Sequence, residues 1–281
     1  MNNGKMGCRV LRDVSLTRML LAAAAGVFLL ALTGCLKSSP VPRQAGSPCS
    51  GLAGYGFPSI RIDQKETFFV CHLGYALDFN EGTRTPIWVV EHLTRDDLDQ
   101  RLAERLENFR PDPDLPQLVS SELGDYARSG YDRGHMAPAE DFRKSTDEMN
   151  ESFFLSNMVP QNPENNLGIW AQLEKQVRYW AVKQGGLYVV TGPIYAGNQS
   201  VTWIGHGRVA VPTHLFKVVL SPSRKAAVGF IIPNVPIPPQ ASLAAFEVPV
   251  TEVERVTGIT FFPEVEPGQA WAIKSSLPRD W

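Results

Sequence analysis

From Leu167 onward the apolar residues Trp170, Leu173, Val177 and Ala181 recur at helical spacing, and Gly185-Gly186 ends the run. Asn165-Asn166 stands where that helix should begin, because asparagine is a favoured N-cap. The rest of the chain alternates in shorter units. Runs rich in β-branched and aromatic residues predict strands over 68–71, 87–93, 187–191, 209–211, 215–220 and 228–232. The apolar Phe153-Phe154-Leu155 reads as a short buried strand, and Pro160 and Pro163 behind it argue against regular structure. A stripe of Leu98, Leu102 and Leu106 predicts a surface helix over 96–106. A polar insertion over 142–150 suits a short helix, 233–239 a proline-rich loop, and 251–257 a late helix closed by Gly258. The pattern predicts an α+β fold with a central, mostly antiparallel sheet and helices on its faces.

The N-terminus departs from this pattern. Arg9, Arg12 and Arg18 precede an apolar stretch from Met19 to Leu32 that is too short for a comfortable membrane span. It ends in Leu32-Thr33-Gly34-Cys35, which resembles a bacterial lipobox. Residues 1–34 are therefore expected to be a lipoprotein signal peptide, with Cys35 lipidated after cleavage; an uncleaved anchor and an ordinary secretory signal are the alternatives. Several acyl chains would hold the protein on a membrane. Leu36, in place of an inner-membrane aspartate signal, points to the outer membrane or periplasm of a Gram-negative cell, and otherwise to the cell surface. Residues 35–48, rich in Pro, Ser and Gly, read as a tether, and 49–281 as one domain. With Cys8 and Cys35 in the leader, Cys49 and Cys71 remain in a compartment that permits disulfides. A bridge between them would stabilise the domain by roughly 3 kcal/mol; two buried thiols are the alternative.

The net charge is −2, so the chain is not a broadly basic nucleic-acid binder. Any attraction for a polyanion must be local. Arg128, Arg133, Arg143, Lys144, Lys175, Arg178 and Lys183 cluster in sequence around two polar motifs and would furnish it. The five histidines are scattered, without zinc-ligand spacing, so no zinc is expected.

The first motif is Tyr131-Asp132-Arg133-Gly134-His135-Met136-Ala137-Pro138-Ala139. A neutral imidazole takes a proton from water, a guanidinium grips phosphate, and glycine lets the backbone approach closely. Alone, this stretch reads as a charged surface turn. The second motif runs from Leu155 to Trp180. It carries Asn157, Asn166 at a helix N-terminus that favours phosphate, and Glu174 and Arg178 four apart on one face. Glu174 and Arg178 alone read as a solvated ion pair worth a few tenths of a kcal/mol, about 0.3. Together the motifs supply what single-metal phosphodiester hydrolysis requires.

With these motifs in this order, the chain resembles the DNA/RNA non-specific endonucleases of the ββα-metal (His-Me finger) type, and most the endonuclease G branch. The matching segments are PIWVVEHL (Pro86–Leu93), YDRGHMAPA, FFLSNMVPQ, NNLGIWAQLE, VVTGPIY (Val189–Tyr195) and VAVPTHLFKVVL (Val209–Leu220), covering most of the chain after Gly74. The resemblance implies His135 as general base and Asn166 as ligand of one Mg²⁺, for which Mn²⁺ may substitute. Asn166 is preferred to Asn165 because it stands eight before Glu174. It further implies Asp132 and Glu174 as anchors of the metal's waters, Arg133 and Arg178 as phosphate clamps, and Asn157 as a support for the catalytic loop or the water. DNA and RNA backbones would be the substrates, with 5′-phosphate products, and a homodimer is compatible with the family. The strand Trp88-Val89-Val90-Glu91-His92 lacks an arginine that many bacterial relatives carry, and His92 is read as structural or a minor substrate contact. Two other classes stay open: a non-catalytic nucleic-acid-binding lipoprotein, and a phosphodiesterase for a non-nucleic substrate.

Overall fold

The computed structural model describes residues 48–60, 67–195, 197, 201–206, 208–278 and 281. The leader, Cys35 and the tether up to residue 47 lie outside the described residues. Among the described residues no helix is long and apolar enough to cross a membrane.

Seven strands form one antiparallel sheet. Their spatial order is Glu247–Val248, Ala226–Pro233, His214–Ser221, Gly186–Ile194, Thr85–Thr94, Tyr75–Asn80 and Thr67–Cys71. Every expected strand of the sheet is present, and Val209–Val211 pairs with Thr202–Ile204 in a separate ribbon. Tyr75–Asn80 was not among those expected, because Tyr-Ala-Leu-Asp-Phe-Asn contains no β-branched residue. Its alternation of buried Tyr75, Leu77 and Phe79 is the period-2 signal that composition concealed.

Alternating side chains build two cores. Val89, Leu93, Val189, Leu215 and Phe230 face the long helix Ala171–Gln184, which presents Leu173, Val177, Trp180 and Ala181. Each fully buried large apolar side chain contributes about 1.5–3 kcal/mol. Trp88, Val90, Val190, Phe216 and Val218 face the other way, against Val250–Thr257 and Pro267–Lys274. Cys49 is joined to Cys71 by a disulfide that closes this second core at the sheet edge. The long helix ends where glycine takes over: Gly185 has φ +89° and donates its N–H to the Ala181 carbonyl at 2.9 Å.

Three expectations are corrected. The helix over 96–106 stops early, as Arg95–Asp99. Beyond it the amides of Leu102 and Ala103 both donate to the Arg143 carbonyl, at 2.8 and 2.9 Å, which draws the chain out of helical geometry. Leu102 and Leu106 are left 76% and 48% exposed, so the stripe had no surface to bury. Phe153 to Leu155 is not a strand: Phe154 makes a single bridge to Arg110, and Leu155–Asn157 is a tight turn. The strand is Met158–Gln161, and it includes Pro160. Proline is tolerated because this is a two-stranded ribbon with a free edge, and its carbonyl accepts from Asn234 Nδ2 at 3.0 Å.

Candidate active site

The two motifs meet as a ββα unit. Asp132–His135 pairs antiparallel with Met158–Gln161, with His135 opposite Met158 and Gly134 opposite Val159. Glycine is required at 134, since a Cβ there would stand 2.1 Å from Gln161 Oε1. Asn157 locks the turn after His135. Its Oδ1 accepts from the Ala137 amide at 2.9 Å, and its Nδ2 donates to the Ala137 and Ser152 carbonyls, both at 2.9 Å. Asn157 is fully buried and does not line the cavity, so of its two expected roles it can hold the loop but not touch the water. Asn157→Ala should leave these backbone groups unpaired, at roughly 1–3 kcal/mol each. The expected outcome is a fall of several degrees in thermal midpoint, about 4 °C or more, with activity per folded molecule largely kept. Unchanged melting with lost turnover would reassign Asn157 to the chemistry.

The helix side enters by an irregular route. Asn162, not Asn165 or Asn166, is the N-cap, and its side chain accepts from the Asn165 amide at 3.1 Å. After one turn, Pro163–Asn165, the backbone widens over Asn166–Trp170, where Gly168 leaves helical geometry (φ −101°, ψ −108°). This separates the two neighbouring asparagines. Asn165 is buried and ties the helix start to the Pro233 and Val235 carbonyls, at 2.8 and 3.3 Å. Asn166 faces a cavity of about 660 Å³. Its Nδ2 donates to Asp132 Oδ2 at 3.0 Å, which turns its amide oxygen to the other side.

The same cavity holds His135, Asp132, Arg133, Glu174 and Arg178. His135 packs edge-on against Phe153, with ring centroids 5.1 Å apart, and its buried Nε2 has no hydrogen-bond partner. Burial, then the charges of Arg105 and Arg133, pushes its pKa down to about 3, so the imidazole is neutral and able to accept a proton. Arg133 stacks on Phe109, 4.2 Å from the ring centroid. Glu174 keeps part of its surface exposed, yet its carboxyl is densely surrounded. Burial, opposed by Lys217 and aided by Asp141, pushes its pKa up to about 7. Arg178 pairs with Asp141 Oδ1 at 2.8 Å rather than forming the i,i+4 pair with Glu174 that spacing suggested.

Below the cavity lies a buried polar strip that the sequence reading missed. Lys217, in the centre of the sheet, donates to Thr191 Oγ1 at 2.7 Å and lies 5.3 Å from the Trp170 ring centroid. Burial, then the charge of Asp141, pushes the Glu91 carboxyl well above the usual range, against the pull of Lys217. These groups come from separated strands and loops, so only sheet register brings them under Glu174 and Arg178. His92 is not in the cavity; it stacks on Tyr188 at 4.1 Å and 6°.

Of the seven basic residues expected to form a cationic cleft, Arg128, Arg133 and Arg178 line it. Arg143 turns to Glu140 and Lys144 to Asp97 and Glu148. Arg105 joins instead, carried by the segment that is not helical. Four arginines thus face four carboxylates, Glu107, Asp132, Glu140 and Glu174. Such a balance favours a phosphate accompanied by a cation over a phosphate alone.

Among the described residues, one other group, His72, Asp112 and Asp114, has metal-ligand proximity. The Asp112 oxygens are already committed: Oδ2 accepts from Ser156 and meets His72 Nε2 at 2.9 Å, and Oδ1 accepts from the Asp114 amide at 2.9 Å. The buried His72–Asp112 pair latches the disulfide-bearing strand to the loop after Arg110.

A family profile for DNA/RNA non-specific endonucleases matches residues 60–267. Nuclease EXOG, mitochondrial, of Danio rerio is 41% identical over 228 residues, covering 76% of this chain and 65% of that protein. Nuclease C1 of Cunninghamella echinulata var. echinulata is 40% identical over 205 residues, covering 68% of this chain and 81% of the relative. A solved structure described as the EndoG/EndoGI complex superposes with a TM-score of 0.73 at 33% identity, covering 81% of this chain and 96% of that one. The chain spans about two thirds or slightly less of the length of the EXOG relatives, 65% for Danio rerio and 61% for Mus musculus.

Proposed function

We propose that this chain, which belongs to the DNA/RNA non-specific endonuclease family, hydrolyses internal phosphodiester bonds of DNA and RNA with one Mg²⁺, or Mn²⁺ in its place, and leaves 5′-phosphate ends. The observation that carries this reading is the pairing, in one cavity, of a neutral His135 with an Asn166 whose amide nitrogen is held by Asp132. His135, at the cavity wall, takes the proton of the attacking water as the water's oxygen bonds to phosphorus and the P–O3′ bond breaks. Arg133, braced by Phe109, and Arg178, braced by Asp141, hold phosphate oxygens. Asn166 fits a hard divalent cation, with Asp132 and Glu174 as anionic neighbours for its waters. When bound, that cation supplies charge stabilisation at the phosphate and the leaving 3′-oxygen. All these groups address the backbone rather than base edges, which accords with low sequence specificity.

The location is part of the same proposal. The Leu-Thr-Gly-Cys sequence ending at Cys35 supports an exported, lipid-anchored protein that meets nucleic acid outside the cytoplasm. The full chain should nick supercoiled plasmid and degrade RNA with Mg²⁺, and lose both activities in EDTA. Cys35→Ser should abolish palmitate incorporation without abolishing cleavage. Binding of DNA without nicking, in Mg²⁺ or Mn²⁺, would favour the binding-module reading, and turnover of small phosphodiesters alone would favour a non-nucleic substrate.

A further inference from the structure

A second hollow of about 480 Å³ opens beside the cleft, within the size range of small-molecule sites. Leu167 lines both cavities and is 78% exposed. A large aliphatic side chain in a helix start normally buries itself. Here the widened turn at Asn166–Trp170 sends Ile169 and Trp170 into the core and leaves Leu167 outside, one residue from Asn166. The facing wall is Ile237, Pro238 and Pro239, from the proline-rich loop. That loop is tied to the helix start. Asn165 donates to the Pro233 and Val235 carbonyls, the Asn162 amide donates to Asn234 Oδ1 at 2.8 Å, and Asn234 Nδ2 donates to Pro160 and Pro212. The two walls are therefore tied together by hydrogen bonds that are buried or partly buried. Between them, a Cβ on Gly168 would meet nothing within 4 Å, so the hollow is open at that point.

We propose that this apolar groove receives a nucleobase of the strand whose phosphate lies in the cleft, with Leu167 as the wedge between that base and its neighbour. The inference rests on the nuclease reading above and adds a base-contacting subsite to it. Continuity through Leu167 is what identifies the occupant: a strand with its phosphate beside Asn166 must carry a base on one side past Leu167. Leucine and proline are side chains that enter base steps, because they replace stacking with apolar contact and make no hydrogen bond that selects a sequence. Gln172, also at the groove, offers both a donor and an acceptor and can rotate between them. The subsite would thus accept any base while requiring that some base be present.

The test uses the full chain and short single-stranded oligonucleotides with one cleavable linkage, the others being blocked as methylphosphonates. The base on either side of that linkage is present or replaced by a tetrahydrofuran abasic unit. Wild type should lose about tenfold in kcat/KM when the base on one particular side is missing, the order expected for one stacked base. Leu167→Ala should lose a similar factor on the intact substrate and nothing further on the abasic one. A 2-aminopurine at the same position should brighten when wild type binds in EDTA, and stay dim with Leu167→Ala. The groove assignment is overturned if wild type cuts all substrates equally, if the two losses multiply independently, or if Leu167→Ala changes only the oligomeric state. No cleavage of any linkage by wild type would instead overturn the nuclease reading, and with it this one.

Discussion

His135→Ala should remove the proposed DNA and RNA hydrolysis while the protein keeps its circular dichroism and thermal midpoint. A positioned general base contributes about 10²–10⁴-fold, and the loss should reach at least that. No other described histidine is placed to substitute. His72 is held by Asp112, His92 stacks on Tyr188, His214 contacts Thr213, and neither these nor His206 lines the cavity. Folding should survive, because Nε2 makes no hydrogen bond that the variant would break. The same geometry fixes the pH dependence. With its pKa near 3, His135 stays a competent base throughout the neutral and mildly acidic range. Glu174, with a carboxyl that titrates near 7, is the group that changes as pH falls through neutrality. Its protonation removes an anion from beside the cation site, so kcat/KM should decline below about 7 at low Mg²⁺. Because metal and proton compete for the anionic form, raising Mg²⁺ should move that acid limb to lower pH. An acid limb that ignores Mg²⁺ in wild type, or near-normal turnover by a well-folded His135→Ala, would remove His135 and Glu174 from these roles.

The parts of this architecture that sequence made legible are those written in local spacing. The strands rich in valine and isoleucine and the helix ending at Gly185-Gly186 follow from residues a few positions apart, whereas the meeting of Asp132, Arg133, His135, Asn166, Glu174 and Arg178 in one cavity was legible through the resemblance to the endonuclease family. Long-range pairing was not legible. Glu91, Thr191 and Lys217 belong to three strands, and their meeting under the site depends on register that no local pattern encodes. Arg105 was hidden by a leucine stripe that imitates a helix but has no surface to pack on. Arg178 carried an equal ambiguity: spacing favoured Glu174 as its partner, whereas the fold brought Asp141 from just beyond the first motif. The asparagines divided in the same way. Asn157, Asn165 and Asn166 are alike as residue types, and only burial separates two structural straps from one cavity residue.

That separation sets the second large effect. Asn166→Ala should remove most activity and raise the Mg²⁺ concentration for half-maximal rate, with little change in stability. The residue lines the cavity, and its side chain donates to Asp132 at 3.0 Å. That bond engages the nitrogen end of the amide. Removing the oxygen would delete the proposed ligand of a cation that prefers hard oxygen donors. Asp132→Ala should act in the same direction through loss of orientation, by about 10–100-fold in metal affinity, the usual scale for a group supporting a ligand. Asn165→Ala should behave oppositely. It breaks the ties to Pro233, Val235 and Gln161, so it lowers the thermal midpoint while leaving the Mg²⁺ dependence of the folded fraction unchanged. Magnesium titrations of initial rate, paired with melting curves for the three variants, make the comparison. If Asn165→Ala shifts the magnesium midpoint and Asn166→Ala does not, the metal ligand is one residue earlier than proposed.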